Sequence, residues 1–198
     1  MVQISGKIHL EIKRQIFHLL FGLVLAVLYY FEHIGPRDIF FAIIAASIVI
    51  LIHKKKKIKY INFFIRHFER PDIKYEGLGA LNFLIGSFLT MIIFGFNKDI
   101  VTASILILSV GDSISPLIGL KYGKTSIKIF NEKKLIEGTI AGIIFSTLAA
   151  SVVVPMIHAF IASLFAMVLE AVEFKYRIDD NLSIPLISGV ILTLLSLF

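Results

Sequence analysis

Apolar residues in this chain arrive in long blocks rather than in alternation with polar ones. Stretches such as 100–110 and 138–154 are hydrophobic on every helical face. A helix with no polar face is buried or lies in lipid, and 198 residues cannot supply a core large enough to bury several of them. The pattern predicts spans at 15–31, 38–52, 78–96, 100–118, 138–154, 156–172 and 184–198, where a crossing takes roughly 17–25 apolar residues. The second and last are short by that measure. Turn residues mark the breaks: Gly35-Pro36, Gly95-Phe96-Asn97-Lys98-Asp99, and Pro155. Segment 138–172 is too long for a single crossing, so Pro155 predicts a tight hairpin rather than a kink. The expected fold class is all-α: a polytopic membrane helix bundle of about seven transmembrane helices, forming one integral membrane domain over 1–198.

Composition agrees. The chain is 57% hydrophobic with a mean hydropathy of +0.88, where soluble domains hold about 45–50% apolar residues. Cysteine is absent, which removes disulfides, thiolate zinc sites and cysteine nucleophiles. No small-residue cleavage site follows the first apolar block, so that block reads as a retained helix. The formal charge of +6 belongs to topology and anionic lipid headgroups rather than to nucleic acid. With seven spans, 18 of the 20 basic residues fall on one side, leaving only Arg37 and Lys98 opposite. The positive-inside rule then puts the N-terminus in the cytoplasm and the C-terminus outside. The run Lys54 to Lys57 reads as an orientation anchor on anionic membrane lipids. The expected location is the cell membrane, with the reactive polar residues facing the cytoplasm.

The informative segment is 109–142. Asp112 lies inside an apolar helix, where an aspartate costs roughly 2.5–3.5 kcal/mol on insertion scales. Gly111, Ser113 and Pro116 around it predict a helix opened near its cytoplasmic end. A basic, glycine-containing loop follows, then Glu137-Gly138 at the mouth of the next helix. Glycines, lysines and a carboxylate outline a polyphosphate site, and oxygen donors without Cys or paired His favour magnesium. The same residues also fit a buried aspartate paired with a loop lysine for helix packing. Gly119 to Thr125 is not a P-loop: three residues rather than four separate its glycines, and a membrane helix precedes it. Glu11, Arg14 and His18 share one helix face. Glu170 and Glu173 end the sixth span, and Asp179-Asp180-Asn181 precede the seventh, where capping also accounts for Asn181 or Asp180.

At these residues the chain resembles the CTP-dependent polyprenol kinase family: dolichol kinases, phytol kinases and the CTP-using diacylglycerol kinases of fungi. More distantly it looks like the phosphatidate cytidylyltransferases. The resemblance rests on Arg14-Gln-Ile-Phe-His18, on Gly111-Asp112-Ser113 with Gly119 and Tyr122-Gly123-Lys124, on Lys134-Leu-Ile-Glu137-Gly138-Thr139, and on Asp179-Asp180-Asn181-Leu-Ser-Ile-Pro185. These run in family order over nearly the whole chain. The family commonly has Ser or Thr after the lysine of the third element, where this chain has Leu135.

The resemblance implies transfer of the γ-phosphate of CTP to the hydroxyl of a lipid alcohol: polyprenol, dolichol, phytol, geranylgeraniol or diacylglycerol. It implies Mg2+ on Asp112 with Asp180 or Glu137, and Lys121, Lys124 and Lys134 neutralising the phosphates. Arg14, Ser109, Gly111, Ser113, Gly119, Gly123, Lys133, Gly138 and Asn181 complete the implied nucleotide site. Asp180, Asp112 and His18 are the candidates for the base. The rival readings are a cytidylyltransferase making a CDP-lipid and a small transporter with Asp112 and Glu170 on a coupling ion.

Overall fold

The computed structural model describes residues 2–68, 77–127, 131–171 and 179–197. Arg70, Lys74, Lys128, Glu173, Lys175 and Arg177, which enter the charge and cluster arguments above, lie outside them. The described chain is all-helical apart from one small hairpin. Its helices are α1 (Val2–Tyr30), α2 (Pro36–Lys56), α3 (Lys59–Phe68), α4 (Leu78–Phe94), α5 (Lys98–Leu106), α6 (Asp112–Tyr122), α7 (Ile136–Ala150), α8 (Met156–Ala171) and α9 (Asp180–Leu195). Strands β1 (Ser126–Ile127) and β2 (Asn131–Leu135) pair antiparallel between α6 and α7.

Local chemistry sets the element ends. Pro36 occupies the first turn of α2, where its missing N–H is no loss. The Asn97 side chain accepts from the amides of Asp99 and Ile100 and so starts α5. Pro155 separates α7 from α8 by a short turn, as a tight hairpin requires. Two elements depart from the pattern of the sequence. The β1–β2 hairpin falls in a loop whose residues carry no alternation, and α3 falls within what reads as the basic 53–77 loop.

Among the described residues, three helical stretches are long and apolar enough to cross a membrane: Ile8–Tyr30, Pro36–Lys56 and Lys98–Tyr122. The other apolar helices, α4, α7, α8 and α9, have 15 to 17 residues. Large apolar side chains point outward in stripes, such as Ile16, Leu20, Val24 and Val27 on α1 and Ile140, Ile144 and Leu148 on α7. Exposed apolar patches of this extent are foreign to soluble monomers and suit hydrocarbon surroundings. The interior interleaves large apolar side chains such as Met91, Ile105 and Leu108 with small and weakly polar residues, among them Ala103, Ser104, Ala159, Ala162, Ser163 and Ala166. That distribution is what helix packing in lipid uses, because close backbone approach replaces the hydrophobic effect.

The most buried helix is the α5–α6 rod. It is continuous from Lys98 to Tyr122, so the expected opening is not a break. It is a π-helical turn, Ile107–Gly111, placed directly before Asp112. Such wide turns are local irregularities often found at functional sites. Pro116 within α6 adds a second one, since it cannot donate to the carbonyl of Asp112 four residues earlier.

Candidate functional site

Three carboxylates from three helices converge at one end of the bundle. Asp112 opens α6, Glu170 lies in the last turn of α8, and Asp180 opens α9. One oxygen from each lies within 4.8 Å of the others. Their convergence follows from the packing of α9 and α8 against each other and of the π-helical turn against both. Asp179, not Asp180, caps α9: its carboxylate accepts from the Asn181 amide at 3.0 Å and from Asn181 Nδ2 at 2.8 Å. Capping by the first aspartate leaves the second for the cluster. Glu170 is the deepest of the three, with a side chain 1% exposed. An ionised group at that depth needs a partner.

Lys134 is that partner. Its ammonium contacts Glu170 directly and stands 3.8 Å from an Asp180 oxygen. Lys134 sits near the end of β2, and the hairpin is held in place by its neighbour. A Cβ built on Gly123 would fall 2.2 Å from Leu135 Cδ1, and one on Gly119 would be 3.6 Å from the same atom. Leu135 therefore lies on a glycine-lined surface of α6, a contact that Ser or Thr would not make. Glu137 stands outside the carboxylate group. It accepts from the Thr125 amide at 3.1 and 3.3 Å, tying the hairpin to the first turn of α7. Hydrogen bonding by its own backbone amide, then by Thr125 and Lys124, holds its carboxyl below the usual glutamate range against a smaller desolvation effect. This position, ahead of the apolar run beginning at Gly138, favours a negative charge at the helix N-terminus.

The α1 face closes the site from the other side. His18 Nε2 is 3.6 Å from Asp112 Oδ2, too long for a hydrogen bond, and it has no hydrogen-bond partner among the described residues. Its ring is set edge-on against Phe83 at 4.9 Å. Arg14 pairs with Glu11 at 2.5 Å, and Gln15 donates to the same carboxylate at 3.0 Å. So His18 joins the cluster through Asp112, and Arg14 is held one turn away by Glu11.

Over 185 aligned residues the chain is 32% identical to Uncharacterized protein MJ1137 of Methanocaldococcus jannaschii, with 92% of each chain covered. The chain belongs to that family. It is also 30% identical over 191 residues to Uncharacterized protein RP860 of Rickettsia prowazekii, covering 89% of this chain and 90% of that one. No family model matches the chain, and no solved structure matches it.

The remaining residues expected at the site are placed differently. Gly111, Ser115 and Gly119 on one side face Gly138, Gly142 and Ser146 on the other. A Cβ on Gly138 would lie 2.4 Å from the Ser115 carbonyl oxygen, and one on Gly142 would lie 3.2 Å from the Gly111 carbonyl. These glycines let α6 and α7 touch, in the small-xxx-small manner of membrane helices. Ser109 is buried, donates to the Ile105 carbonyl at 2.6 Å and packs where Gly22 leaves room. Ser113 is fully buried. Lys121 lies over the Tyr122 ring at 5.1 Å and, like Lys124, is exposed. Lys133 lies in β2 beside Lys134. Asn181 keeps its side chain on Asp179, and its carbonyl sits where a Cβ on Gly86 would fall.

The kinase reading of the sequence assigns Glu170 no role. Its signal was available: an acid ending an apolar helix on the same predicted side as Asp112.

Proposed function

We propose that this protein is a lipid-alcohol kinase of the CTP-dependent polyprenol kinase type. On this reading it is a seven-span membrane protein with a cytoplasmic N-terminus and an external C-terminus. The observation that carries the reading is the convergence of Asp112, Glu170 and Asp180 beside Lys134. The donor set fits magnesium: it is all carboxylate oxygen, with neither thiolate nor paired imidazole. The three oxygens, within 4.8 Å of one another, would have to draw closer to share one ion at magnesium–oxygen distances of about 2.0–2.1 Å. A bound Mg2+ would supply charge neutralisation at the phosphates. Phosphoryl transfer asks mainly for positioning and such neutralisation rather than covalent catalysis.

The chain's own residues divide the work. Asp112, Glu170 and Asp180 would hold the cation, and Lys134, with Lys124 and Lys121 nearby in sequence, would meet the phosphates. His18, buried beside Asp112 with a free ring nitrogen, takes the proton of the attacking hydroxyl. Under the seven-span topology every one of these residues falls at the cytoplasmic ends of the spans, which lets a lipid alcohol present its headgroup laterally from the inner leaflet.

Purified protein in detergent, given γ-labelled CTP or ATP and a panel of polyprenol, dolichol, geranylgeraniol, phytol and diacylglycerol, should yield labelled lipid with at least one pair. None with any pair sinks the kinase reading. Label transfer from α-labelled CTP alone would instead make it a cytidylyltransferase. Topology is testable on the same protein, because the chain has no cysteine. An impermeant thiol reagent on intact cells should label Lys98→Cys and spare Lys54→Cys and Lys124→Cys. The reverse pattern inverts the orientation.

One observation favours ion-coupled transport as a second reading: Asp112 and Glu170, the pair it requires, do lie together. Against it, Glu170 and Asp180 stand at helix ends, and a transporter's coupling site lies near the midplane. Ion flux in protein-loaded vesicles, absent lipid phosphorylation, would decide for it.

A further inference from the structure

Lys134 occupies the place a cation would take. Its ammonium touches the buried Glu170 and stands 3.8 Å from Asp180, two of the three residues whose oxygens gather within 4.8 Å. The third, Asp112, is flanked instead by His18, whose Nε2 is unpartnered among the described residues. Lys134 thus meets two of the three carboxylates, and His18 flanks the third. A divalent cation at the same oxygens would face Lys134 at contact distance, and like charges so close in a partly buried site repel strongly.

We infer that Lys134 is a tethered placeholder: it neutralises the carboxylate cluster until a divalent cation binds, and then passes to the phosphates of the incoming nucleotide. The inference rests on the cation site of the proposed function and adds an order to its loading. Geometry supports the exchange. The backbone beside Lys134 is fixed, since Leu135 is seated against Gly119 and Gly123 and the Ile136 amide donates to the Thr125 carbonyl at 3.0 Å. The side chain alone can therefore change partner without moving α6 or α7. A lysine suits this better than an arginine, being a compact point charge on a flexible stem rather than a planar fork. Cation and nucleotide then bind cooperatively. Each removes a cost that the other would otherwise meet, and the coupling is reciprocal.

The test uses Mn2+ as the probe, followed by its electron-spin signal on purified full-length protein without nucleotide. Lys134→Met should bind Mn2+ at least tenfold more tightly than wild type, and Lys134→Arg, which keeps the charge, should stay near wild type. Equal or weaker binding by Lys134→Met, or no binding by either protein, overturns the inference. Should Lys134→Met fail to fold, amine labelling of wild type read by mass spectrometry replaces it. Lys134 should label several-fold faster with Mn2+ than without, and be protected again when a nucleoside triphosphate is added. Unchanged labelling overturns the exchange. The labelled-lipid assay is separate, so a cation exchange without lipid phosphorylation would leave this inference standing and remove the kinase.

Discussion

Asp112→Asn should abolish lipid phosphorylation while leaving the protein inserted, extractable and at least as heat-stable as wild type. The sign of each half follows from the site. Cation stabilisation of transition-state charge amounts to several kcal/mol, and at about 1.36 kcal/mol per decade its loss is on the order of 10^3-fold in turnover. Stability moves the other way. Asp112 shares its surroundings with two other carboxylates, while the ammonium of Lys134 is engaged by Glu170 and Asp180 rather than by Asp112. An isosteric amide therefore removes a repulsion and breaks no strong pair, since the His18 contact is 3.6 Å. Glu170→Gln differs, because it strips the deepest carboxylate from Lys134 and should lower stability as well as activity. The measurement is γ-label transfer beside thermal unfolding in detergent for both variants. Loss of fold and activity together in Asp112→Asn would favour the reading of Asp112 as a packing residue.

The site was partly legible because some of its signals are local. An aspartate in an apolar helix is visible in sequence, and so are the turns at Gly35-Pro36, Asn97 and Pro155, whose backbone chemistry does not depend on the rest of the chain. Glu170 was not legible as a member of the cluster, because its role comes from the end of α8 meeting the starts of α6 and α9. The cap is Asp179 rather than the expected Asp180 or Asn181, a difference that only the geometry of that turn decides. The glycines were the instructive difference. Gly111, Gly119 and Gly138 beside lysines suggest a phosphate cradle, and glycine serves that role and helix contact for the same reason: it has no Cβ. Their spacing carries the packing signal, since Gly111, Ser115 and Gly119 repeat every four residues, as do Gly138, Gly142 and Ser146.

That difference makes Gly138→Ala the most informative change outside the cluster. The added Cβ would lie 2.4 Å from the Ser115 carbonyl oxygen and 3.4 Å from the Gly119 Cα. Both are backbone atoms, which cannot step aside as a side-chain tip can, so α6 and α7 must separate. Overpacking of this kind costs about 1–3 kcal/mol, and any gain in helix propensity, up to about 1 kcal/mol, does not offset it. Gly138→Leu should be worse and should prevent recovery of folded protein. Two alanine variants calibrate the result. Gly79→Ala in α4 meets nothing within 4 Å and should be neutral or slightly stabilising. Gly119→Ala makes only ordinary contacts, the nearest 3.6 Å from Leu135, and should hold wild-type stability. With no tryptophan in the chain, far-ultraviolet circular dichroism is the suitable probe of melting. If these glycines cradled phosphate instead, Gly138→Ala and Gly119→Ala would melt like wild type and raise KM for the nucleotide. Packing predicts the opposite division, with Gly138→Ala losing stability and Gly119→Ala losing neither stability nor nucleotide affinity.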